Sequence, residues 1–106
     1  MRTYKVNNYP LPPYKHFKLL LAKDATVVGT AITDEAGPLI IIMQELGAKE
    51  SVMREFVTMR EEELLEWNGE DCTFVYAATA VMVGEAYHIF EVVYPVTVDL
   101  SILSRN

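Results

Sequence analysis

Apolar and polar residues alternate along much of this 106-residue chain. Alternation with a period of two is typical of β-strands that bury one face and expose the other. Short alternating or β-branched stretches recur every 8–12 residues with turn signals between them, which predicts seven or eight strands. The predicted strands cover residues 3–6, 16–21, 26–33, 39–43, 52–60, 73–83, 87–94 and 96–102.

Proline and glycine clusters separate these stretches. Three prolines between Asn7 and Pro13 predict a break after the first strand. The Asp34–Pro38 segment predicts a hairpin-type turn, and Asn68-Gly69 predicts a turn with positive φ. The apolar run Leu39–Met43 favours a fully buried strand, and the β-branched and aromatic residues of 73–83 favour a central one.

Residues 49–67 fit two interpretations. Their composition and the stripe formed by Met53, Val57, Leu64 and Trp67 favour a helix. The alternation over residues 52–60 favours a strand, and we predict a strand there, followed by a short helical segment from Glu61 to Trp67. The expected fold is therefore all-β or β-rich α+β. Its architecture is a small antiparallel sandwich or partly open barrel of about seven strands, formed by a single domain of residues 1–106.

Composition excludes several classes of protein. The chain is 51% hydrophobic with a net charge of −6, which is the opposite of an intrinsically disordered composition. No apolar run approaches the 18 or so residues of a membrane span, and no signal peptide opens the sequence. These features predict a soluble protein of the cytoplasm that binds no membrane.

Charge is distributed unevenly. Residues 1–23 carry five bases and no acids, whereas residues 61–71 carry six acids and no bases. A basic footprint over the whole domain, typical of nucleic-acid binders, is absent, so no nucleic-acid partner is expected. The acidic stretch is either a solvated surface or a protein interface, which steers association with a basic partner such as a second copy. The interface candidates are Glu61, Glu62, Glu63 and Glu66.

Cations and aromatic rings interleave near the amino terminus, and this pattern suggests a binding site. Positive side chains attract phosphate, while aromatic faces stack on bases or other rings. A histidine on a strand face adds a group that both stacks and donates near neutral pH. The same residues also fit a simpler interpretation, in which tyrosines pack at the rim and lysines solubilise an edge strand. The ligand-binding candidates are Tyr4, Lys5, Tyr14, His16, Lys18 and His88.

Catalytic and metal signatures are absent from the sequence. It contains no nucleophile elbow, no phosphate-binding glycine loop and no zinc-binding histidine pair. The one cysteine, Cys72, lies in an apolar context that favours an inert, buried thiol. We therefore expect neither an enzyme nor a bound metal or cofactor.

Several short motifs resemble a family of small, phage-encoded, β-rich proteins of unassigned function. They cover about residues 4–92, in the order that the family shows. The motifs are Tyr4-Lys5, Tyr9-Pro10-Leu11, Lys18-Leu19, Lys23-Asp24-Ala25, Arg54-Glu55-Phe56 and Tyr87-His88-Ile89-Phe90-Glu91. The resemblance implies a β-rich fold and an accessory role in an infected bacterial host, and it implies no reaction.

Three functions are compatible with this sequence. The first is a non-catalytic, homo-oligomeric protein that sequesters a small anionic, nucleotide-like molecule and so counters host defence signalling. The second is a protein-interaction module that inhibits a host protein through the acidic stretch or an edge strand. The third is a minor virion or assembly component.

Overall fold

A computed structural model describes residues 1–48 and 50–95. Seven strands are present, and no helix occurs in these two ranges. The strands are β1 (Tyr4–Pro10), β2 (His16–Ala22), β3 (Thr26–Thr33), β4 (Gly37–Glu45), β5 (Ser51–Met59), β6 (Thr73–Met82) and β7 (Glu85–Val93). The predicted all-β fold is thus confirmed, and the predicted strand at 96–102 lies outside the described residues.

The strands form two antiparallel sheets. The smaller sheet has the order β1-β4-β3, and the larger has the order β2-β5-β7-β6. The sheets come together where β3 lies against β6, and the Thr30 hydroxyl donates a hydrogen bond to the Thr79 carbonyl there, at 2.7 Å. This arrangement is a sandwich and not a closed barrel.

The core lies between the sheets and follows the predicted alternation. Phe17 and Phe56 pair in register on β2 and β5, and their rings stack with centroids 5.3 Å apart. Ile89 on β7 points to the same side, while Ile40 and Ile42 of β4 face them from the smaller sheet. Because side chains alternate, the odd-numbered residues of β4 point away from this core. Ile41 and Met43 are accordingly only half-buried, although Leu39 on the same face is buried, so the predicted fully buried strand is fully buried on one face and partly buried on the other.

A second packed region lies on the outer face of the larger sheet. Val57 and Val92 point away from the core, yet they are only 1% and 5% exposed. Strands β5 and β6 are both antiparallel to β7, so the segment that joins them must return along the sheet. We call this segment, residues 60–72, the strap. Leu65 and Trp67 of the strap border the same hollow on this face as Val57.

The predicted helical segment at 61–67 is wrong. Burial in the strap alternates, with Glu63, Leu65 and Trp67 half-buried and their neighbours exposed, as in extended chain. Glu62 also has a φ of 62°, a left-handed conformation that interrupts an α-helix. Helix propensity is a weak preference, and packing on the sheet outweighs it here.

Three further predictions about local structure need correction. β1 continues through Pro10 where a break was expected, because an edge strand can accommodate a residue that has no N–H. Among the described strands, β6 lies at the edge of the larger sheet and not at its centre. Gly69 does not adopt positive φ. A glycine is needed at this position because a Cβ would lie only 3.0 Å from the Trp67 indole.

Candidate ligand-binding groove

The amino-terminal end of the strap is held by a histidine. Glu61 Oε1 lies 2.8 Å from His88 Nε2, and His88 Nδ1 lies 2.9 Å from the Thr79 hydroxyl. A carboxylate only accepts, so Nε2 carries the hydrogen, and in the neutral ring Nδ1 accepts from Thr79. The Tyr76 hydroxyl lies 2.7 Å from Thr79 and can donate to it in turn. His88 therefore joins the strap to β6 and β7.

Glu63 forms the next attachment. Its carboxylate accepts a hydrogen bond from the Arg60 backbone N–H at 3.2 Å and lies 3.4 Å from Lys15 Nζ. The Arg60 guanidinium approaches the same carboxylate at 3.9 Å. The backbone hydrogen bond, followed by the Lys15 ammonium, lowers the pKa of Glu63 below its ordinary value. An acid of the strap thus meets a base of the loop before β2.

Trp67 holds the strap in place by aromatic packing. Its indole lies edge-on to His16 and to Phe74, with ring centroids 5.7 and 5.3 Å away. The indole N–H donates to the Glu70 carbonyl at 3.0 Å, so its one polar group is satisfied within the strap. One side of the indole remains at the wall of a groove.

Glu55 organises the floor beside Trp67. His16 Nε2 lies 2.5 Å from Glu55 Oε2, and the Tyr94 hydroxyl donates to Glu55 Oε1 at 2.9 Å. Burial, and then the hydrogen bond to the carboxylate, raise the pKa of Tyr94, so this hydroxyl stays protonated near neutral pH. Glu55 fixes both rings.

These elements enclose a groove of about 440 Å³ between the strap and β2. Two ammonium groups lie along it, and three rings form part of its wall. Its polar and aromatic lining is Lys15, His16, Lys18, Glu55, Glu66, Trp67, Asn68 and Tyr94. The ammonium groups can hold an anion, and the rings can cover a flat apolar group.

Only part of the predicted ligand-binding set meets in this groove. His16 and Lys18 line it, whereas His88 lies two strands away beneath Glu61. Tyr14 lines a different cavity next to the loop before β2. Tyr4 and Lys5 lie on β1 in the other sheet.

Six residues of the polar and aromatic lining lie outside the predicted ligand-binding set: Lys15, Glu55, Glu66, Trp67, Asn68 and Tyr94. Lys15 belongs to the cationic amino-terminal stretch, and Glu66 is one of the predicted interface residues. The chain has a single tryptophan, and this one follows a run of acids. A single tryptophan beside charged residues is a signal that could have identified Trp67 as a site residue. The contact of Tyr94 with Glu55 depends on how β5 and β7 pair, so no local pattern indicated it.

The predicted acidic interface residues have different surroundings. Glu61 and Glu63 anchor the strap, Glu66 lines the groove, and Glu62 is exposed. Part of the acidic stretch therefore neutralises a base of its own chain.

The amino-terminal cations also find partners within the chain. Arg2 lies 3.9 Å from Glu45, and Lys23 lies 3.7 Å from Glu50. Within residues 1–48 and 50–95, Lys5 and Lys18 have no carboxylate within 4 Å. Of these two, only Lys18 lines the groove.

Cys72 is half-buried at the end of the strap. Desolvation, and then the negative charge of Glu55, raise the pKa of its thiol. A thiol that resists deprotonation is a poor nucleophile, but the full burial expected from the sequence is not found.

Over the described ranges, no cluster of three or more histidine, cysteine, aspartate or glutamate side chains is arranged to hold a metal ion. No helix in those ranges is long and apolar enough to cross a membrane. Comparison of the chain with protein-family models, with curated proteins and with solved structures finds no match. The resemblance to phage proteins stays a prediction.

Proposed function

We propose that this protein is a non-catalytic binder of a small anionic, nucleotide-like molecule, held in the groove between the strap and β2. One observation carries the proposal. The Lys18 ammonium, which has no carboxylate within 4 Å among residues 1–48 and 50–95, lines the same groove as the Trp67, His16 and Tyr94 rings. An anion and a flat ring joined in one molecule match these two kinds of contact.

The internal contacts of the groove support binding without a large rearrangement. Glu55 already fixes His16 and Tyr94, and Trp67 is fixed between His16 and Phe74. A ligand that meets rings already in position loses less free energy to ordering them. Glu55 and Glu66 also line the groove, so a multiply charged polyphosphate fits less well than a ligand with one or two negative charges.

A phage accessory role, in which the bound molecule is withdrawn from host defence signalling in the bacterial cytoplasm, extends this proposal. It depends on the motif resemblance, whereas the binding proposal depends on the groove alone. The two are therefore tested separately.

Replacing Lys18 with glutamine should weaken ligand binding about tenfold, since it removes a charged partner of the anion. The measurement is thermal shift against cyclic and ADP-ribose-type nucleotides at about 100 µM. The matched control is Lys5→Gln, which removes a cation of the other sheet. Absence of any stabilisation across the panel, or equal loss in both variants, contradicts the proposal.

We also propose that the protein self-associates through the outer face of the smaller sheet. Val6 is 58% exposed there, beside the half-buried Ile41 and Met43. The charged side chain on this face, Glu45, lies at its corner and is paired with Arg2. A second copy presenting the same neutral face buries no unpaired charge, as an isologous contact requires.

The variant Val6→Lys tests self-association, because it places a charge at the centre of that contact. We expect the wild-type mass measured by light scattering to rise with concentration above 12.0 kDa and the variant to remain monomeric. A wild-type mass of one chain at all concentrations contradicts the proposal.

A further inference from the structure

A second cavity, which shares Lys15 with the groove, lies at one end of the sandwich. The loop that joins β1 to β2 closes it on one side, and the ends of β5, β6 and β7 close it on the other. Its volume is about 240 Å³. Its walls are mostly apolar: Leu11, Pro12, Pro13, Tyr14, Met82 and Tyr87. A dry cavity of about 150 Å³ already accommodates benzene, so one ring fits here.

The polar side of this cavity is formed by two cations and one carboxylate. Lys15 and Arg60 both reach Glu63, at 3.4 and 3.9 Å, and Arg60 also lies 3.6 Å from Glu85. Glu63 in addition accepts the hydrogen bond from the Arg60 backbone N–H. These ion pairs are longer than a charge-assisted hydrogen bond of about 2.7–2.9 Å. Both cations are also about half exposed, so an incoming anion can reach them. Glu63 thus occupies an anion-binding position loosely, and it does so from its own chain.

We propose that this cavity binds a small aryl carboxylate, whose ring lies between Tyr14 and Tyr87 and whose carboxylate replaces that of Glu63. Because Glu63 places a carboxylate beside Lys15 and Arg60, the charged group of the ligand should be a carboxylate. Because the walls are apolar, the rest of the ligand should be an apolar ring. The strap would then respond to occupancy, because Glu63 is one of its attachments. This inference does not depend on the groove or on Lys18.

The test uses phenylacetate as the probe and backbone amide NMR shifts as the readout. Saturable shifts are expected around Tyr14, Met82 and Tyr87. The neutral analogue 2-phenylethanol should bind more weakly, because it has no carboxylate to interact with Lys15 and Arg60. Shifts centred on Trp67 and Lys18, or equal binding of the two compounds, would overturn the inference. Shifts at Trp67 would at the same time support the groove.

Substitution of Glu63 separates this inference from general anion binding. In Glu63→Gln the competing carboxylate is gone, so the Kd for phenylacetate should fall about fivefold. The matched control Glu62→Gln removes a neighbouring exposed acid and should leave the Kd unchanged, whereas Arg60→Gln should raise it. Glu63→Asp serves as a second variant if Glu63→Gln loosens the strap. Its shorter side chain keeps the negative charge but moves it away from Lys15 and Arg60, so the Kd for phenylacetate should also fall. An unchanged or higher Kd in both Glu63 variants overturns the inference.

Discussion

Replacing Phe56 with alanine should lower the free energy of unfolding by about 3–5 kcal/mol. Phe56 is 0% exposed, stacks on Phe17 and lies on a strand that has neighbours on both sides. Its removal leaves a cavity between the two sheets that rigid strands cannot close. Urea denaturation at 25 °C measures the change as a shift in midpoint.

The control for this prediction is Leu20→Ala on the adjacent strand. Leu20 is 63% exposed on the outer face, so its truncation should change stability by no more than about 0.5 kcal/mol. Equal effects of the two substitutions would mean that the core does not lie on the Phe56 side of the sheet.

Replacing Arg54 with methionine should lower the free energy of unfolding, measured by urea denaturation, by about 2–3 kcal/mol. The Arg54 guanidinium donates from Nε and Nη2 to the two carboxylate oxygens of Glu91, both at 2.6 Å, and from Nη1 to the Ala25 carbonyl. The side chains are 15% and 19% exposed, so the loss is smaller than the 3–5 kcal/mol typical of a fully buried pair. The variant leaves the Glu91 carboxylate without its partner in a partly desolvated position.

The double variant Arg54→Met/Glu91→Leu distinguishes the cost of the orphaned charge from the value of the pair. Because an apolar replacement of a buried pair is often neutral, most of the lost stability should return in the double variant. A double variant no more stable than Arg54→Met would show that the interaction with the Ala25 carbonyl dominates.

The strands could be predicted from the sequence because they depend on local alternation. The choice of a strand for 52–60 over a helix is an example, since the structure has β5 at Ser51–Met59. Strand neighbours could not be predicted in the same way. The contact between β2 and β5 joins residues 29 to 41 positions apart, and no local pattern specifies it.

The strap shows where local reasoning fails. Its glutamates and leucines favour a helix, but Trp67 gains contacts with His16 and Phe74 only if the chain lies extended on the sheet. The candidate site was predictable to the same limited extent. The sequence indicated His16 and Lys18, whereas Trp67 and Tyr94 reach the groove through tertiary packing.

The charge pattern of the sequence indicated an ionic contact, but part of that contact forms within the chain and not with another molecule. The acidic stretch and the basic amino terminus suggested contact with another molecule, and in the structure Glu63 meets Lys15 of the same chain. The sequence does not reveal such a pair, because Lys15 and Glu63 are far apart along the chain. Each of them is equally consistent with a contact to a partner molecule. The cations available to an external anion are those that have no carboxylate partner in the described part of the chain, and of these Lys18 lines the groove.

Fluorescence of Trp67 tests the central claim most directly, because it is the single tryptophan of the chain and forms a wall of the groove. Titration with ADP-ribose should change its emission saturably in the wild type and in Lys5→Gln, with an apparent Kd about tenfold higher in Lys18→Gln. Emission that stays constant throughout the titration, or changes identically in the two lysine variants, contradicts the account.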